Sequence, residues 1–216
     1  MKKLLTLLVV VSAFLSTAHA QGDAKAKTIL AEVSKKYRSY TMLSANFTMN
    51  LENAKAKVKE AQKGTLVAKA NSNKYKVTMT NQELISDGKS QWIYLKNDGE
   101  VQINNVDNSE EALNPAKLFT IYEKGFKYSF SGESTVNGKP VYQITLTPVD
   151  GKKQLTKVIL SVHKTAKNIV RAIIYDKGGS VYTYSVDSFN PNVKVTESVF
   201  TFDAKKYPGV EIVDLR

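Results

Sequence analysis

Between Lys74 and Val106 the chain alternates apolar and polar residues in short runs separated by turn dipeptides. Tyr75, Val77 and Met79 fall on one side of the first run, and Lys76, Thr78 and Thr80 on the other. That spacing is the period-2 signature of a strand with one buried face. Asp87-Gly88 follows Leu84 to Ser86 and precedes Trp92 and Tyr94, while Asp98-Gly99 precedes Val101 and Ile103. Both dipeptides predict hairpin turns, so the segment reads as a meander with an apolar lining and no catalytic chemistry.

The same reading extends in both directions. Asp23 is placed to cap a helix through about Ser39, whose apolar positions Ala26, Ile29, Leu30, Val33 and Tyr37 recur at three- and four-residue spacing. Phe47, Met49 and Leu51 then alternate, a lysine-rich turn region is expected from Lys55 to Lys63, and a further run follows from Gly64 to Ala70. Asn114-Pro115 predicts the start of a second helix, carrying Leu118, Phe119, Ile121 and Tyr122 and stopping at Gly125. Beyond it, alternating runs at Phe126–Phe130, Tyr142–Leu146, Val158–Val162, Ile169–Tyr175, Val181–Val186 and Val195–Phe202 read as strands. About ten or eleven sequential strands with short connections favour a strongly curled antiparallel sheet or barrel, with the helices plugging or capping its open side.

Residues 1–20 stand apart. Lys2 and Lys3 precede an apolar run from Leu4 to Leu15, and Ala18-His19-Ala20 supplies the small residues that a signal peptidase reads. The run is shorter than the roughly 20 residues a bilayer span needs. Cleavage before Gln21 is therefore expected, leaving residues 21–216 as a single domain exported out of the cytoplasm. The chain has no cysteine, so neither disulfides nor lipidation of a new N-terminal cysteine is available. A hydrophobic fraction of 42% suits a self-sufficient core.

The net charge of +11 comes almost wholly from lysine, since Arg38, Arg171 and Arg216 are the only arginines among 31 basic residues. Without the guanidinium fork, sequence-specific nucleic-acid reading is not expected. Lysine scattered over the outer face and edges of a sheet is the plain alternative, with attraction to an anionic membrane or acidic partner as the other.

Catalytic constellations are sparse. His163 is the one histidine beyond residue 20, and no serine sits in a GxSxG elbow. Asp87, Asp98, Asp150 and Asp176 lie at or beside glycine turns, where their side chains suit local backbone bonding. No enzyme activity, metal or cofactor is expected. The apolar lining remains, either as an ordinary packed core or as a ligand cavity built from Phe47, Met49, Tyr75, Met79, Trp92 and Tyr94.

Four strings add to this: SANFT at Ser44–Thr48, SDGKSQWIY at Ser86–Tyr94, ITLTP at Ile144–Pro148 and FTFDAKKYPGVEIVD at Phe200–Asp214. In order and spacing, over essentially the whole chain beyond residue 20, they resemble the LolA family of periplasmic lipoprotein carriers. The resemblance implies an unclosed antiparallel barrel lidded by helices, with a cavity for lipoprotein acyl chains. It also implies two partners, an inner-membrane ABC transporter that hands over cargo and an outer-membrane receptor that takes it. Tyr75, Val77 and Met79 match a cavity strand, Trp92 and Tyr94 the aromatic pair after SDGK, and Val33 and Tyr37 the first helix. With Phe47, Met49, Leu118 and Tyr122 they form the expected acyl-binding set of a protein expected to act as a monomer. Family members commonly carry an Arg-Pro pair before the strand of Tyr75, whose arginine helps hold the lid shut. Ala70-Asn71-Ser72 stands there instead, so the pocket is expected to open more easily or to close by other contacts. A carrier of another amphiphile, such as a pigment or glycolipid, and a lipoprotein-sensing module are the rival readings.

Overall fold

A computed structural model describes residues 22–106 and 121–216. Helix α1 spans residues 22–38 and leads into β1 (Met42–Asn53), β2 (Val58–Lys69), β3 (Lys74–Met79), β4 (Gln82–Asp87), β5 (Ser90–Leu95) and β6 (Glu100–Asn105). A short 3-10 turn at Ile121–Glu123 precedes β7 (Phe126–Val136), β8 (Lys139–Pro148), β9 (Leu155–His163), β10 (Ile169–Asp176) and β11 (Ser180–Pro191). Two more 3-10 turns, Glu197–Phe200 and Ala204–Lys206, lead to β12 (Glu211–Asp214).

The twelve strands form one sheet in the order β12-β6-β5-β4-β3-β2-β1-β11-β10-β9-β8-β7. Every pairing is antiparallel except that of β12 with β6, which is parallel. The two end strands do not pair with each other, so the fold is an α+β, unclosed antiparallel barrel.

Several sequence expectations change in detail. The turn after β1 occupies only residues 54–57, because the lysines from Lys59 to Lys63 continue the ladder with β1. Asp23 lies inside α1 rather than capping it. Val195–Phe202 is not a strand. Glu197 instead receives Lys69 Nζ at 2.5 Å and Lys74 Nζ at 2.8 Å, which anchors a 3-10 turn against the ends of β2 and β3. Asn114 and Leu118 of the second predicted helix lie outside the described residues, and the described part of that segment is the turn carrying Tyr122. The hairpin chemistry is as read: Asn137 and Gly138 both have positive φ, and Asp87 Oδ1 accepts from the backbone of Lys89 and Ser90.

Helix α1 lies over the concave face of the sheet. Ala26, Ile29, Leu30, Val33 and Tyr37 are each at most 5% exposed and join the main core cluster. Burying each of the larger side chains is worth roughly 1.5–3 kcal/mol, which makes this stripe the principal seat of the helix. Burial also pushes the Tyr37 hydroxyl up to about 12. Polar contacts fix the register of the helix. Tyr122 Oη shares a 3.0 Å hydrogen bond with Ser34 Oγ and donates to the Leu30 carbonyl at 3.4 Å. Arg38 pairs with Glu123, and Asn71 Nδ2 donates to the Arg38 carbonyl at 3.1 Å.

The convex face carries a second closure. Trp92 stacks on Phe202, Phe202 on Tyr207, and Tyr94 meets Tyr207 edge-on, with centroids 6.2, 4.9 and 5.0 Å apart. Tyr207 Oη donates to Glu83 Oε2 at 2.9 Å, and Lys76 Nζ lies 3.0 Å from the same oxygen. The segment before β12 is thereby strapped over β4 and β5.

Both closures can be probed by substitution. Tyr122→Phe leaves Ser34, 5% exposed, without its side-chain partner and should lower stability by about 1–3 kcal/mol, read as a lower urea midpoint with unchanged slope. Arg38→Ala, which breaks a largely exposed pair, should cost about 0–1 kcal/mol. The strap should respond to acid. Burial works against the charge on Glu83, but bonds from Lys76 and Tyr207 and the charges of Lys76 and Lys96 hold its pKa below the ordinary 4.5. Its contribution is thus complete above that ordinary value and lost as pH falls through the depressed one. Emission from Trp92, the sole tryptophan, should report release of the strap in that acid range. In Glu83→Gln the strap should already be loosened at neutral pH, and this acid step should be absent.

Candidate functional site

Directly paired residues of neighbouring strands share a face, so the register traces both sides of the sheet from Tyr75 outward. Tyr75 pairs with Ala68 and Ser86, and Val77 with Leu66 and Leu84. Ala68 pairs with Leu43, Gly64 with Phe47, and Met49 with Tyr184. The same face continues through Ala172, Leu160, Ile144 and Phe130. Apart from Ser86 and Gly64, these residues belong to one core cluster with the apolar stripe of α1 or pack against it.

Coverage of this face is uneven. Leu43, Leu66, Tyr75 and Leu160 are at most 4% exposed beneath the helix. Along β1 burial then declines: Phe47, Met49 and Leu51 are only half-buried, as are Leu84, Tyr182 and Tyr184 beside them. Gly64 makes room for Phe47, whose ring lies so close over β2 that a Cβ at Gly64 would stand 2.5 Å from Phe47 Cζ. Polar groups are few here and mostly satisfied. Gln91 Nε2 donates to Tyr75 Oη, and Ser86 Oγ donates to the Asn73 carbonyl at 2.7 Å. Gln62, opposite Met49, has a buried Oε1 without a partner. Burial raises the pKa of Tyr75 and of Tyr184, so both phenols stay neutral at physiological pH.

Seven of the expected residues meet at this face: Val33 and Tyr37 from α1, and Phe47, Met49, Tyr75, Val77 and Met79 from the sheet. Tyr122 is buried against the helix, and Leu118 lies outside the described residues. Trp92 and Tyr94 sit elsewhere. The turn at Asp87-Gly88 sets Ser86 opposite Gln91, so Trp92 pairs with Ile85 and Tyr94 with Glu83 on the convex face. There they brace the strap.

Sequence reading missed Leu66, Tyr142, Tyr182, Tyr184 and Phe130 as part of the same surface. Their alternation was visible, as in Tyr182-Thr183-Tyr184, but nothing local showed that β11 returns beside β1.

Other chemistry is thin. Among the described residues no group of three or more His, Cys, Asp or Glu is placed to hold a metal ion. His163 Nδ1 accepts from the backbone N–H groups of Thr165 and Ala166 at 3.2 and 3.1 Å, a turn-forming role. A groove of about 630 Å³ flanks α1, where Leu30, Ala31, Tyr122 and Tyr128 form an apolar floor edged by Lys27, Lys35, Arg38 and Glu123. The more extensive apolar surface is the concave face of the sheet.

The fold recurs in solved structures. An uncharacterised conserved protein from Thermus thermophilus matches with a TM-score of 0.59 at 13% identity, over 88% of this chain and 99% of that one. A DUF1329 family protein from Desulfovibrio piger matches with a TM-score of 0.50 at 13% identity, over 85% and 98%. A LolA superfamily protein from Nitrosomonas europaea gives 0.46 at 13% identity, over 82% and 98%. No curated protein matches in sequence. The family model of the outer membrane lipoprotein carrier protein LolA matches residues 38–203, from the end of α1 to the foot of the strap, and the chain belongs to the LolA family.

Proposed function

We propose that this chain is a periplasmic carrier that holds the acyl chains of lipoproteins against its concave face. It takes them from an inner-membrane ABC transporter and passes them to an outer-membrane receptor, with residues 1–20 directing export. One observation carries the reading. A single apolar surface runs from beneath α1, where it is buried, to Phe47, Met49, Leu84 and Tyr184, where it is half-buried. A ligand seated on the open part grows inward only by displacing the helix.

The energetics suit exchange. A buried methylene is worth roughly 0.8 kcal/mol, so a long acyl chain in water costs on the order of 10 kcal/mol. The stripe on α1 offers burial of comparable size, so cargo and helix compete for one surface. Release is then helped by return of the helix to that surface. Val33, Tyr37 and Tyr122 are assigned to the displaced lid, and Phe47, Met49, Tyr75, Val77 and Met79 to the surface that cargo covers. Trp92 and Tyr94 act from the other side, holding β4 and β5 in place.

A fluorescent acyl probe tests this. Met79→Glu sets a charge on the covered face and should weaken binding at least about tenfold, as 1.4 kcal/mol does. Met49→Glu alters the half-buried part with less demand on folding and should act in the same direction. Wild-type binding by both folded variants overturns the assignment of this face to acyl chains. Lipid co-purified with the exported protein, identified by mass spectrometry, should be acylated protein; a free pigment or glycolipid instead reassigns the cargo.

A further inference from the structure

The end of the sheet opposite α1 is ringed by three adjacent turns. Asn53 Nδ2 ties the turn at residues 54–57 to the Gly178 carbonyl at 3.3 Å, and Lys55 leans over Gly179. Lys177 Nζ donates to the Gly151 carbonyl at 2.6 Å, which joins the turn at residues 177–179 to the loop between β8 and β9. This continuous rim carries Lys55, Lys57, Lys152, Lys153 and Lys177, with Lys59 beside it. Its carboxylates are Glu52, paired with Lys59 at 3.4 Å, the exposed Glu60, and Asp150 and Asp176, which accept from the backbone of Lys152 and Ser180. Between the lysines stands Val149, 62% exposed and the most exposed large hydrophobic residue among those described. The half-buried end of the concave face, at Met49 and Leu51, opens beside the same rim.

We propose that this rim docks the protein on a bilayer surface carrying anionic phospholipid headgroups, with Val149 entering the interface. The charges are point-like ammonium groups on flexible stems spread over separate turns, which suits a fluid layer of phosphodiesters better than a fixed pattern of carboxylates. A single apolar tip among cations has the polarity of the headgroup boundary. Docked this way, the open end of the apolar face meets the depth at which acyl chains begin. The inference deepens the carrier reading, yet it is tested without cargo.

The test is sedimentation of the purified chain with vesicles of equimolar phosphatidylglycerol and phosphatidylcholine, against phosphatidylcholine alone. Binding is expected only to the anionic vesicles and should weaken steeply with salt. Removing lysines lowers it about fivefold each, so the triple change Lys55→Gln, Lys57→Gln, Lys177→Gln should reduce it roughly a hundredfold. The same number of charges removed at the helix end, through Lys89→Gln, Lys139→Gln and Lys194→Gln, should leave it within about twofold. Val149→Ser should weaken binding without changing its salt dependence. Absence of binding to anionic vesicles at low salt, or equal loss from both triple variants, overturns the proposal. Rim-dependent capture on immobilised polyglutamate without vesicle binding assigns the rim to an acidic protein and also overturns it. Acyl-probe binding should be intact in the rim variants and vesicle binding intact in Met79→Glu, so the two readings fail separately.

Discussion

Everything in this molecule depends on a sheet that curls but does not close. Twelve strands leave one apolar face lining a concavity, and a face of that kind must be covered, because its exposure costs roughly 25 cal/mol per Å². Closure of the barrel would bury it permanently. The end strands, which do not pair with each other, leave the sheet open, and α1 covers its apolar face through side-chain packing rather than through a backbone ladder. Packing is removable at the scale of a lipid's own burial, whereas stripping a strand from the middle of the sheet breaks the ladder on both of its sides.

The two faces divide their aromatic residues accordingly. On the concave side Phe47, Tyr182 and Tyr184 are half-buried and held by neighbours rather than by hydrogen-bonded straps. On the convex side Trp92, Tyr94, Phe202 and Tyr207 form a stacked and edge-on group, pinned by the 2.9 Å bond from Tyr207 to Glu83. The convex group holds β4 and β5 against the segment before β12, so displacement of the helix need not loosen the sheet behind it.

Much of this was legible in the chain. The stripe from Ala26 to Tyr37, the alternation of Tyr75, Val77 and Met79, and the Asp-Gly and Asn-Gly turns each carry their structure in local spacing. What local spacing does not contain is which of two faces an alternating strand turns inward. Trp92 and Tyr94 are as bulky as Tyr75, yet one hairpin register sends them outward, because a shift of a single residue exchanges the faces. The last strand was hidden for a related reason. Val195–Phe202 alternates well enough to suggest a strand, but two lysines converging on Glu197 favour a 3-10 turn, and pairing with β6 falls to the short run at Glu211–Asp214.

The place of the expected lid arginine shows how closure is rebuilt. Asn71 stands in the turn before β3 and donates to the carbonyl of Arg38 instead of reaching across with a charge. The arginine that meets the other lid segment is Arg38 itself, at the end of α1, paired with Glu123, while Tyr122 bonds Ser34 one turn earlier. An exposed pair of this kind contributes about 0–1 kcal/mol, and a buried neutral hydrogen bond about 0.5–1.5 kcal/mol net, although leaving its partner unsatisfied costs about 1–3 kcal/mol. The latch is therefore weak beside the apolar stripe it locks into register. In the proposed carrier, opening would then be governed by whatever competes for the concave face, and the polar contacts would decide only how α1 returns.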